Sequence, residues 1–478
     1  MYTENKCAVK IGNKRTDFFT QGRGVRQGCS LSPTLFNIYI NELATMLEQS
    51  ADPGLTLHDT EVKFLLYADD LVLLSPTEQG LQRNLALLEQ YCQTWALAVN
   101  FKKTKIMIFQ KKARTQGNRY HFTLNNTTLE HTSDYTYLGL TISASGSFNL
   151  AVNALKEKAR RAFYAIKRRF YKINIPIKIW LKLIDSVIQP IALYGSEIWG
   201  PLSQQDYTKW DKHPIETLHA ELYKNILQVQ RKTPNHACRA ELGRYPTLIN
   251  IKKRALKFWM HLKKSESDSL QYEAMKTQEL SPEKSPLNQL ALKLTALNPT
   301  NNTKTNQLQV STAYQPPIRV NQIIKLTKNC YLKHWDTETK SQNKLDCYRA
   351  LKRDYTLAEY LSTVRDTKQR QILTKYRLSD HSLAIEKGRH RQTWLPKEER
   401  LCGHCETGEV ETEMHFLTHC VKYKNTRDIF FPKFCDLVPE FPKMCDTQKL
   451  SILLGEDKHT ARLAGQYVET CHSLRDKP

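Results

Sequence analysis

The sequence predicts an α+β fold: helices layered on an antiparallel sheet over residues 1–147, then mostly helical chain. Three observations carry this. Short apolar runs bounded by turn residues, at 64–74 and 137–142, read as strands. Stripes of apolar residues at helical spacing lie between them, and that mixture is the signature of an α+β layer. From residue 148 onward the apolar spacing is helical almost throughout.

Residues 1–23 read as a short strand pair around 7–11 and Phe18-Phe19. A glycine loop, residues 22–28, follows and leads into a helix, with Ser32 placed as N-cap and Pro33 at the first helical position. Leu35, Phe36, Tyr39, Leu43 and Leu47 form that helix's apolar stripe. Arg26 and Gln27 sit at its mouth, where glycine loops and helix N-termini accept phosphates. The run 64–74 sets Tyr67, Asp69 and Asp70 into an otherwise apolar stretch. Burying two unpaired carboxylates is very costly, so the run is read as a hairpin, strands 64–67 and 71–74, with both aspartates in its turn. Two carboxylates at one sheet rim suit Mg²⁺, which takes one or two carboxylates together with substrate phosphates. Metal-dependent phosphoryl transfer is the chemistry this predicts. Residues 75–78 have the form of a capping box for a helix carrying Leu81, Leu85, Leu88, Cys92 and Trp95. Residues 97–109 read as a turn into a strand, with Lys102, Lys103 and Lys105 on the turn.

The 478 residues allow two to four domains. The 71 Lys and Arg exceed the 48 Asp and Glu, and a formal charge of +23 predicts a polyanionic partner. No run approaches the roughly 20 apolar residues of a membrane span, and the first residues lack a signal peptide's apolar core. Twelve cysteines with one compact cluster point to reduced, intracellular thiols and a metal site.

Residues 148–276 are helical and basic. Leu155, Ala159, Ala162, Phe163, Ile166 and Phe170 form an apolar face, and ten Lys or Arg stand against one acidic residue between Lys156 and Lys182. Phe163, Tyr164, Phe170 and Tyr171 interleave with that charge, as in a nucleic-acid groove. Residues 277–318, rich in Ser, Thr, Asn, Gln and Pro, read as a polar linker. A helical block at 319–445 and a tail at 446–478 complete the chain. Within the block, Cys402, Cys405, His415 and Cys420 have the number and softness of ligands for a closed tetrahedral Zn²⁺ site at 402–420. His419 competes with His415 for that role, and His404 is a further possible donor.

Residues 24–33 (GVRQGCSLSP), 67–70 (YADD), 100–104 (NFKKT) and 137–139 (YLG) occur in one order. Together they closely resemble the reverse transcriptases of non-LTR (LINE-type, jockey-like) retrotransposons. The likeness extends through LYGSEIWG at 193–200 and ELGRYP at 241–246 to the cysteine cluster. It implies a partial right-hand polymerase palm at 1–147, a thumb or connection at 148–276, and a C-terminal knuckle that binds RNA or DNA. Asp69 and Asp70 would be palm carboxylates holding Mg²⁺ or Mn²⁺. Arg26, Gln27 and Gly28 would lie against the template base pair and the incoming nucleotide. Tyr67 would belong to the same box, Lys103 would approach the leaving pyrophosphate, and Tyr137 and Gly139 would help hold the primer end. The implied reaction is attack of a DNA primer 3′-hydroxyl on a deoxynucleoside triphosphate, copying RNA in the nucleus without a membrane.

The family needs another aspartate on a strand upstream of the RQG loop, and residues 1–23 offer no match. The chain is therefore expected to be an N-terminally truncated copy, inactive as an isolated enzyme. The alternative is a remnant that binds RNA or DNA without catalysis.

Overall fold

A computed structural model describes residues 5–22, 24–109, 120–297, 319–390 and 392–475. They form two compact units, 1–147 with 262–281, and 148–261 with 282–478.

The first unit contains the strands. Among the described residues they pair as seven separate two-stranded ladders, six antiparallel and one parallel, the last joining Glu130–His131 to Lys105–Ile106. The expected antiparallel sheet is thus broken into separate two-stranded ladders. Strands of two to four residues are too short to extend a ladder far. The single strand pair expected at the start is two nested pairs, Asn5–Cys7 with Phe19–Gln21 and Lys10–Ile11 with Lys14–Arg15.

Helices Ser32–Glu48 and Glu78–Thr94 supply the core through Leu43, Leu47, Leu85, Leu88, Tyr91 and Cys92. Phe64, Leu71 and Leu73 of one hairpin pack onto it. Leu35, Phe36 and Tyr39 are only half-buried, so the stripe seals at its C-terminal end. The cap of the first helix differs from expectation. Ser32 is already helical, and its hydroxyl donates to Arg26 O at 2.6 Å, closing the glycine loop. The second helix is capped by Thr77, whose Oγ1 accepts from Gly80 N at 3.1 Å.

The second unit is helical. Helix Asn149–Arg169 buries Ala151, Val152, Leu155, Ala159 and Phe163; Phe170, expected on this face, lies at the helix end and is exposed. Two buried ion networks hold the bundle. Glu216 accepts from Arg239 at 2.8 Å, and Arg377 binds Glu241, both side chains fully buried.

Residues 277–297 correct the linker reading. They contain the end of Leu270–Leu280 and the helix Pro286–Thr295, capped by Ser285 and buried through Leu287, Leu290, Ala291 and Leu294. Polar composition masked that apolar stripe; residues 298–318 lie outside the described residues. The tail at 446–478 is corrected likewise. Helices Asp446–Leu453 and Ala461–Arg475 are core elements, the second burying Ala461, Ala464, Tyr467, Val468 and Cys471. Small residues let it pack closely, which made its stripe weak in sequence.

Candidate active site and metal centre

The strands Phe64–Tyr67 and Asp70–Leu73 pair antiparallel with Tyr67 opposite Asp70. The turn is therefore Ala68-Asp69, and Asp70 begins the second strand. That is one residue earlier than expected. The register sorts the side chains, because residues two apart share a face. Phe64, Leu66, Leu71 and Leu73 form one face, with Phe64, Leu71 and Leu73 on the core. Tyr67 and Asp70 fall on the other, and both are exposed, as is Asp69. Ala68 has φ 52, uncommon for a residue other than glycine, and positive φ at this place suits a two-residue hairpin turn.

A second hairpin pairs Asp134–Tyr137 with Leu140–Ser143, turning at Leu138 and Gly139 with φ 47 and 81. Positive φ at both turn residues is the type I′ pattern, which glycine at the second position eases. The hydroxyl of Tyr137 has its pKa raised, first by burial and then by the charge of Asp70.

Arg26, Gln27 and Gly28 are exposed in the loop before the first helix, where Gly28 has φ 83. Lys103 is exposed in a turn where Asn100 O accepts from Lys103 N at 3.0 Å and from Thr104 N at 2.9 Å. Among the described residues, Asp69 and Asp70 belong to no group of three or more potential metal ligands.

Cys402, Cys405, His415 and Cys420 do form one, their ligand atoms all within 4.8 Å of one another. The local chain explains the convergence. Leu401 bridges Val410, Cys402 N donates to Glu409 O at 2.9 Å, and Gly408 turns the chain with φ 69. A single π turn, His415–His419, then returns Cys420 with its N–H on His415 O at 2.8 Å. Cys402 and Cys420 Sγ lie 3.8 Å apart, and Cys405 Sγ lies 3.3 Å from His415 Nε2. A tetrahedral zinc with sulfur at about 2.3 Å separates two sulfurs by about 3.8 Å, so the donor set fits zinc. Burial pushes the Cys420 thiol up to about 12. Burial would raise Cys405 too, but hydrogen bonds from Thr407, from Cys402 and from His415 bring it down to about 6.

The choice between histidines follows from geometry. His415 is buried in the cluster, with Nδ1 on Glu409 at 2.6 Å. His419 is exposed and pairs with Asp446 at 3.2 Å, and His404 Nδ1 faces Lys422 Nζ at 3.4 Å. Glu409 was missed by sequence reasoning, because an exposed-looking glutamate six residues before a histidine carries no spacing signal.

On the basic helix, Lys158, Arg161, Tyr164, Lys167, Arg168 and Arg169 are exposed, and Tyr171 follows at 74 % exposure. Glu221 accepts from Arg160 at 2.7 Å and from Tyr164 at 3.1 Å, a tie the sequence did not signal. No helix among the described residues is long and apolar enough to cross a membrane.

Two exposed aspartates at a hairpin tip, a second hairpin that carries Tyr137 and a glycine loop before a helix are the features on which comparison with known proteins bears. Residues 2–142 match the reverse transcriptase (RNA-dependent DNA polymerase) family. The relatives make the type more specific. The chain is 30 % identical over 165 residues to the Pol polyprotein of type-1 retrotransposable element R2 from Nasonia vitripennis, covering 32 % of this chain and 15 % of that protein. It is 25 % identical over 233 residues to the RNA-directed DNA polymerase of mobile element jockey from Drosophila melanogaster, covering 47 % and 24 %. To the probable RNA-directed DNA polymerase of transposon BS, also from Drosophila melanogaster, it is 29 % identical over 217 residues, covering 43 % and 23 %. Over this segment the chain is thus similar to RNA-directed DNA polymerases of mobile elements. These matches span less than a quarter of each of those relatives' lengths.

Proposed function

We propose that this chain is a fragment of a LINE-type RNA-directed DNA polymerase whose first unit is a partial palm. The observation that carries the reading is the match of residues 2–142 to the reverse transcriptase family, a span that contains both the YADD and the YLG segments. Asp69 and Asp70 would hold Mg²⁺ or Mn²⁺, and the ion would neutralise charge developing on the transferred phosphate. The remaining work is positioning. Arg26, Gln27, Gly28 and Tyr67 would face template and deoxynucleoside triphosphate, Lys103 the leaving pyrophosphate, and Tyr137 and Gly139 the primer end. Lys158, Arg161, Lys167 and Arg168 supply charge for an RNA template or DNA strand, with Tyr164 and Tyr171 as stacking surfaces. Zn²⁺ would hold the C-terminal knuckle, and the working place of such a protein is the nucleus.

The second reading is a nucleic-acid-binding remnant without polymerase activity. It is favoured by the absence, among the described residues, of a third ligand beside Asp69 and Asp70. Two-metal transfer asks for a site that clamps both attacking and leaving oxygens, and two carboxylates alone hold it poorly.

Primer extension on RNA, with Mg²⁺ and then Mn²⁺, separates the two readings when the parent is run beside Asp69→Ala. Extension by the parent alone supports the polymerase. No extension by either, with RNA binding that falls steeply with salt, leaves the remnant.

A further inference from the structure

We propose that Trp394 and Leu395, held against Gly388 and Arg400, form a stacking platform on which Trp394 receives a base of single-stranded nucleic acid. The inference deepens the nucleic-acid reading above and rests on it.

Trp394 is 63 % exposed, the most exposed of the seven tryptophans; Trp95 follows at 37 %. Among the described residues no other ring stacks on it and no cation covers it. An indole left in water at this size usually marks a contact surface, because its burial against a partner gains much apolar area.

The loop that presents it is anchored. Leu395 N donates to Gly388 O at 2.9 Å, Thr393 N to His390 O at 2.9 Å, and Thr393 Oγ1 to Lys387 O at 2.8 Å. Arg400, itself buried, fixes the base. Its Nε and a terminal nitrogen donate to Leu395 O at 3.0 and 2.7 Å, and its other terminal nitrogen donates to Ile385 O at 3.0 Å. Gly388 makes room, since a Cβ there would meet Arg400 at 2.7 Å. Arg400 lies two residues before Cys402, and Arg400 O accepts from Glu411 N at 2.9 Å, so loop and knuckle share one support.

Charge selects the occupant. Lys387 and His390 are exposed on the loop, and Lys232 Nζ lies 3.3 Å from His390 Nε2. Arg389 is engaged by Glu386 and by Asn343 O, so it serves mainly to brace the loop. Acidic side chains resume only at Glu398, beyond Pro396. An exposed ring a few residues from Lys387, with Lys232 against His390, fits an unpaired base with its phosphates. Leu395, also exposed, extends the ring's apolar contact. Duplex bases are already stacked on one another and offer the ring no face.

The test is binding of the full zinc-loaded chain to a short labelled single-stranded DNA and to a duplex of equal length. Trp394→Ala should weaken single-strand binding about fivefold or more. Duplex binding and the melting temperature should stay at parent values. Trp394→Phe should retain most of the affinity and lose the part of the tryptophan quenching that the parent shows on binding single strands. Unchanged single-strand affinity in Trp394→Ala would overturn the platform and leave the nucleic-acid reading standing. Equal losses on single strand and duplex would also overturn it, making the ring a structural support. A parent that binds neither nucleic acid at low salt, or an apolar protein partner captured through Trp394 in their place, would sink both readings together.

Discussion

Glu409 Oε2 lies 2.6 Å from Nδ1 of His415, whose Nε2 turns inward to the cysteines. A carboxylate behind a ligating imidazole fixes the ring's tautomer and raises its basicity. Glu409→Ala should therefore weaken zinc retention about ten- to a hundredfold, while His419→Ala should leave it unchanged. Competition against a chromogenic chelator reads both. Equal affinity in Glu409→Ala and parent would take the carboxylate out of the account.

Arg377 gives the second prediction. Its guanidinium is fully buried, bound to Glu241 and Glu456, and donates to Leu454 O at 2.9 Å. Burial works against its charge, yet the glutamates beside it keep its pKa raised. Removing one partner strands the other in a low-dielectric site. Arg377→Met should cost about 3–5 kcal/mol of stability, and adding Glu241→Met should recover a large part of it. Urea unfolding of the two variants decides this. Equal stability in single and double variants would show that stranding contributes nothing.

The contrast between these two sites shows what the sequence makes legible. The cysteine cluster and the aspartate hairpin were readable because their signals are local: ligand spacing in one, apolar runs flanking two carboxylates in the other. The Glu241–Arg377 pair joins residues 136 apart and has no spacing to read. Gly243 was part of a recognised segment, yet its reason appears only in space. It has φ 63, and a Cβ there would meet Leu357 N at 2.6 Å, where Leu242 bridges Leu357. Helix Pro286–Thr295 was lost for another reason, since a polar average over 277–318 hid four buried apolar residues at helical spacing.

The third prediction concerns acid. His213 is stacked between Trp199 and Trp210, with ring centroids 5.8 and 3.9 Å away, and burial lowers its pKa to about 4. His236 is lowered to about 4 as well, by burial first and then by the charges of Arg239, His334 and Lys224. An unfolded histidine titrates near 6.5, so folding holds both neutral where the unfolded chain binds protons. Their contribution is fully present above pH 6.5 and is lost as pH falls toward 4, by about 3 kcal/mol each at the acid end. Burial alone would raise the carboxyl of Glu216, but Arg239 beside it holds it low. Its own loss therefore begins only below 4.5, the value of an ordinary glutamate. Urea midpoints followed from neutral pH to about pH 5, in the parent and in a variant lacking both rings, separate the histidines from Cys405, which also titrates in this window. The midpoint should fall over that range in the parent, and His213→Phe with His236→Asn should flatten the slope. A parent midpoint independent of pH there would mean that neither ring is held neutral by the fold.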